Sequence, residues 1–77
     1  MIAQMDEESP TREIARRVRD ERRRQGMDQR TLALVANVGV RSIHRIESGE
    51  QTIRLDILLR VLRALGMQLT VTSRARS

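Results

Sequence analysis

The chain has 77 residues and a net charge of +5, with all fifteen basic residues arginine, no cysteine and no Phe, Trp or Tyr. So short a chain makes one domain and buries only about 60% of its unfolded surface. Without cysteine there are no disulfides and no thiolate metal site; without aromatics there is no stacking platform for single strands or for RNA-recognition modules. A small, unstapled core of Leu, Ile, Val, Ala and Met points to tight helix packing or to oligomerisation. Asp6, Glu7 and Glu8 are concentrated in the first segment, so the remainder is more basic than the total suggests. That balance fits nucleic acid, with duplex DNA favoured, or an anionic membrane surface.

Residues 1–8 are polar and acidic, and read as a flexible N-terminal segment. Ser9-Pro10 is a helix start: Ser caps and Pro takes the first helical position. Ile14, Ala15 and Val18 form a thin apolar stripe through about Gln25, and Gly26 ends the helix. The many arginines of this helix read equally well as a solvated basic face. Asp28 caps a second helix, Gln29 to Ala36, with Leu32, Ala33 and Ala36 inward. Asn37-Val38-Gly39 is a tight turn. A third helix runs from Val40 to Glu47 or Ser48 with Ile43 and Ile46 inward, and Ser48-Gly49 stops it. Glu50 to Ile53 is a loop. In the fourth helix Leu55, Leu58, Leu59, Leu62 and Leu65 recur at helical spacing, the clearest amphipathic signal in the chain. Gly66 closes it.

Residues 67–72 alternate apolar and polar, the pattern of a strand, with Met67, Leu69 and Val71 on one face. A lone strand leaves its backbone groups unpaired. A copy of itself in a second chain supplies the simplest partner, making this a dimerisation strand; a frayed extended tail is the alternative. Residues 73–77, including Arg74 and Arg76, read as a flexible tail.

Two short helices around a tight turn suggest a helix-turn-helix within residues 9–66. The stretch Gln29-Arg30-Thr31-Leu32-Ala33, then Asn37-Val38-Gly39, then Ser42-Ile43-His44-Arg45-Ile46-Glu47-Ser48-Gly49 resembles the phage-repressor-type, or Cro/XRE, family over roughly residues 12–65. Asn37 stands where that family usually has Gly, and Gly39 where it usually has Ser or Thr, which implies a weaker cap on the third helix. Ser9-Pro10-Thr11 together with residues 62–71, Leu-Arg-Ala-Leu-Gly-Met-Gln-Leu-Thr-Val, looks like the HipB-type antitoxins within it. The resemblance implies an all-α, lambda-repressor-like domain of four to five helices, with a C-terminal β-strand that pairs across a homodimer. It also implies a repressor that autoregulates its operon and binds a HipA-like toxin of kinase fold.

In such a domain the third helix enters the major groove. With Ile43 and Ile46 inward, Val40, Arg41, Ser42, His44 and Arg45 become candidate base contacts. Arg41 and Arg45 can each grip guanine O6 and N7, and Val40 can touch a thymine methyl. Ser42 alternatively packs at the family's small position, and His44 is alternatively just solvated. The resemblance makes Gln29 a phosphate contact at a positive helix end, and pairs Arg22 with Glu47 in an ion pair tying helix one to helix three. Gln51, Thr52 and Arg54, following the third helix, are further candidate phosphate contacts. A two-fold dimer reads half-sites about 34–36 Å apart, hence a palindromic double-stranded operator, with helix four and the terminal strand as dimer elements.

The sequence argues against an enzyme. It has one His and lacks a Gly-rich phosphate loop and a metal-ligand cluster, so no cofactor, metal or catalytic residue is expected. A membrane-surface role lacks the large aromatic and Leu face it requires, and no apolar run approaches a span or a signal peptide, so a cytoplasmic location is expected. The rivals are a stand-alone regulator without a toxin, and an interaction module that acts mainly by neutralising a partner protein.

Overall fold

The computed structural model describes residues 8–73. The expected flexible segment 1–8 and tail 73–77 lie outside the described residues, apart from Glu8 and Ser73. Four helices follow one another: α1 (Pro10–Arg24), α2 (Gln29–Ala36), α3 (Val40–Glu47) and α4 (Leu55–Ala64). They match the four expected from the sequence to within a residue at each end.

Local chemistry sets the helix starts. The Ser9 hydroxyl accepts from the Arg12 amide at 3.3 Å, and Pro10 occupies the first turn, where its missing N–H is no loss. The Asp28 carboxylate accepts from the Thr31 amide at 2.8 Å. That bond holds the Asp28 carboxyl below its ordinary range. α3 begins at Gly39, which has extended backbone and no side chain to cap with. One orphan amide of α3 therefore lacks the partner that the first two helices enjoy.

Each helix ends by reversing through a left-handed residue: Gly26, Asn37, Gly49 and Gly66. At Asn37 (φ 58°) a short polar side chain tolerates the strained region. The next amide, of Val38, reaches back to the Ala33 carbonyl at 3.0 Å. At Gly49 (φ 78°) the same reversal brings the Glu50 amide to the Arg45 carbonyl at 3.3 Å. These bonds satisfy carbonyls that the helix leaves open.

The core is Val18 from α1, Leu32 from α2, Ile43 and Ile46 from α3, and Val61 from α4, all fully buried. Ala33 and Ala36 flank Leu32, and α2 packs on both α3 and α4 while α1 packs on α3. Small residues on α2 let both neighbours approach closely, which suits a chain with no aromatic side chains to fill gaps.

Two expectations change. The leucine stripe of α4 is only partly core: Leu58, Leu62 and Leu65 are buried with Val61, but Leu55 is 57% and Leu59 41% exposed. A helix of ten residues against a thin neighbour buries a narrow arc, and Leu55 and Leu59 sit at its edge. Residues 67–73 form no strand, and the described residues are all-helical with no strand among them. A ladder needs a second extended segment, and the described residues offer none. Met67 packs half-buried against the core, while Leu69 and Val71 face outward.

Candidate nucleic-acid interface

The interface is built on α3. Ile43 and Ile46 anchor it to the core, and Glu47 lies on the same inner side, buried against Arg22. Helical spacing then turns Arg41, His44, Arg45 and Ser48 outward, all exposed. The five candidate base contacts therefore do not share one face. Val40 is half-buried and packs on the core edge beside Leu34 and Val38. Ser42 is half-buried on the other flank, in a cleft with Ile53 and Ile57. Its size suits the packing role that was its alternative reading. Arg41 and Arg45 stand one turn apart on the outermost line of the helix.

The two arginines differ in their surroundings. Among the described residues Arg41 has no ion-pair or side-chain hydrogen-bond partner, so its whole fork is free. Arg45 is held: its Nε donates to Glu50 Oε1 at 2.9 Å and its Nη2 to the Thr52 carbonyl at 3.0 Å. Arg54 is also occupied, with Nη2 on Asp56 Oδ2 at 2.8 Å. The Gln51 and Thr52 side chains are exposed in the loop after α3.

Buried Arg22 and Glu47 form one cluster with half-buried Gln29. Arg22 donates Nε to Glu47 Oε2 at 2.7 Å, Nη2 to Oε1 at 3.0 Å, and Nη1 to the Met27 carbonyl at 2.9 Å. Gln29 adds Nε2 to Glu47 Oε1 at 3.1 Å. Burial by itself would raise the Glu47 carboxyl. The hydrogen bonds from Arg22 and Gln29, with the guanidinium charge, outweigh it and hold Glu47 below its ordinary value. The same cluster holds the Gln29 amide at the start of α2, leaving its second Nε2 hydrogen and its oxygen for a ligand.

Beside that cluster runs a groove of about 530 Å³ between α1, the start of α2 and α3. Gln29, His44 and Ser48 line it together with Arg19 and Arg23. Read alone, the sequence leaves those two arginines in an undifferentiated basic face. The signal was present in their spacing: Arg12, Arg16, Arg19 and Arg23 flank the buried line Ala15, Val18 and Arg22, so one side of α1 is a basic stripe. The structure turns that side toward Glu47, Ser48 and Gly49. Arg16 on it pairs with Glu8 at 3.0 Å.

The helix-turn-helix family model matches residues 18–71, which takes in that cluster, the groove and both outward arginines. The chain belongs to the XRE-type helix-turn-helix family. In this helix-turn-helix domain α2 and α3 are the two helices of the motif and Asn37–Gly39 its turn. The family is one of DNA-binding regulators. A solved chain described as "Toxin-Antitoxin module from Streptococcus pneumoniae" is 29% identical to the helix-turn-helix chain, with a TM-score of 0.66. The match covers 80% of this chain and 73% of that one. No curated protein matches the chain. No helix among the described residues is long and apolar enough to cross a membrane.

Proposed function

We propose that this protein is a sequence-specific transcriptional repressor that acts as a homodimer, and that it is the antitoxin of a toxin–antitoxin pair of HipBA type, autoregulating its operon from the cytoplasm. The observation that carries the DNA-reading part is the pair Arg41 and Arg45. Two exposed guanidinium groups stand one turn apart on the helix that the family lays in the major groove. Each matches the acceptor pair of guanine. Gln29, Arg19 and Arg23 around the groove supply donors for the phosphate backbone, at the positive end of α2. His44 and Ser48 line that same groove, so His44 serves the phosphate side better than the base side.

The dimer reading draws on surface that a lone domain has no use for. Leu55 and Leu59 on α4, and Leu69 and Val71 beyond it, are all exposed. Covering them between two copies, with residues 67–72 paired as strands, removes that apolar area from water and satisfies the unpaired backbone. Two copies then read a palindromic operator. The antitoxin part rests on the likeness to the toxin–antitoxin chain from Streptococcus pneumoniae. The HipB-like residues 9–11 and 62–71 supply the further proposal that the partner is a toxin of kinase fold.

Footprinting on the DNA upstream of the gene, at low ionic strength, tests the reading. A protected palindrome is expected, with affinity falling steeply as salt rises. Arg41→Ala should relax preference at one base pair of each half-site by about tenfold or more. Gln29→Ala should weaken all sequences alike. No protected site overturns the DNA reading itself, and equal loss across all sequences in both variants overturns the division into readers and positioners. Capture of a kinase-fold protein with no DNA binding would instead favour the interaction-module reading.

A further inference from the structure

We infer that Glu50 is a positioning residue that sets the base preference of Arg45; the inference rests on the DNA reading above and names a determinant of its specificity. The Arg45 guanidinium has two edges that can make paired hydrogen bonds. One is formed by Nε and Nη2, the other by Nη1 and Nη2. Glu50 Oε1 takes Nε at 2.9 Å and the Thr52 carbonyl takes Nη2 at 3.0 Å, so the side edge is filled. Nη1 has no hydrogen-bond partner among the described residues, so the outer edge keeps donors for guanine O6 and N7.

The placement follows from the turn. Gly49 reverses the chain at φ 78°, the Glu50 amide returns to the Arg45 carbonyl, and the Glu50 side chain arrives beside the Arg45 side chain. Both groups are half exposed, and an exposed ion pair adds little to fold stability. Its consequence is geometric. An arginine gripped at two points loses rotamer freedom before DNA arrives, so less is lost when the outer fork docks. Arg41 has no such grip and stays adaptable. A carboxylate at a DNA surface also repels phosphate, which weakens binding to every sequence. Glu50 thus trades general affinity for discrimination.

Sequencing of duplexes enriched from a random library, followed by affinity measurement on the selected site and its single-base variants, tests this. The proteins compared are wild type, Arg45→Ala, Glu50→Ala and Glu50→Gln. Glu50→Ala should lose about tenfold of preference at the same base pair that Arg45→Ala relaxes. Glu50→Gln keeps an acceptor for Nε and should retain that preference. Both Glu50 variants should bind an unrelated duplex roughly two- to fivefold more tightly at low salt, with unchanged thermal melting. Full preference in Glu50→Ala, equal loss in Glu50→Gln, or no base pair affected by Arg45→Ala overturns the role of Glu50. A wild-type protein that enriches no duplex overturns the DNA reading instead.

Discussion

Arg22 of α1 and Glu47 of α3, 25 residues apart in the chain, meet side-on through two hydrogen bonds of 2.7 and 3.0 Å in the protein interior. The third nitrogen of Arg22 caps the Met27 carbonyl, and Gln29 joins on the carboxylate. The contact therefore ties the first helix, the loop after it and both helices of the motif at a single point.

Lysine cannot reproduce that point, because one ammonium group cannot span two carboxylate oxygens and a carbonyl in the fixed geometry of a guanidinium. Arg22→Lys should lower unfolding free energy by about 1–3 kcal/mol, and Glu47→Ala, which strands a buried guanidinium, by about 3–5 kcal/mol. Urea denaturation measures both. A lysine variant as stable as wild type would show that charge alone suffices.

The lowered Glu47 carboxyl makes stability depend on pH. Its native value lies below its unfolded value, so its contribution is complete above the unfolded carboxylate range, near about 4.3. The contribution disappears as pH falls through the native value. Glu21, held at about 2 by the Arg24 and Gln25 hydrogen bonds, adds a surface effect of the same sign that salt screens. The stability gap between wild type and Glu47→Gln should be widest near neutrality and shrink below about pH 4. A gap that stays constant from neutral to acid would detach Glu47 from this dependence.

Gly39 leaves α3 without a side-chain cap. Its backbone is ordinary extended (φ −74°, ψ 151°), and a Cβ added there meets nothing within 4 Å. Gly39→Ser should stabilise the domain by about 0.5–1 kcal/mol, through the new hydroxyl acceptor and a less flexible unfolded chain. The melting temperature should rise by roughly 2–8 °C. An unchanged or lower melting point would mean that the hydroxyl does not reach the first-turn amides.

Val71 is 93% exposed and lies outside the core of the described residues. Val71→Asp should keep the helical circular dichroism of wild type yet sediment as a monomer, because in the proposed dimer like charges would meet across the ribbon. Operator affinity should fall by more than about tenfold with the loss of the second half-site. A variant that still sediments as a dimer would place the two-fold contact on Leu55 and Leu59 of α4 alone.

The helix limits were legible in the sequence because the signals that set them are local. Ser9-Pro10 and Asp28 act on amides within one turn, and Asn37, Gly49 and Gly66 reverse the chain at their own positions. The inward residues of α2 and α3 followed from spacing for the same reason. How the helices cross decided the rest. Tertiary packing left Leu55 and Leu59 outside a periodic stripe, drew Arg19 and Arg23 to the groove of Gln29 and His44, and half-buried Val40 and Ser42. The turn after α3 set Glu50 against Arg45. Those relations depend on the angle and phase of whole helices, which no run of neighbouring residues encodes. The strand pattern of residues 67–72 is the limiting case: alternation is written locally, but the hydrogen bonds that make a strand need a second extended segment, which the described residues do not supply.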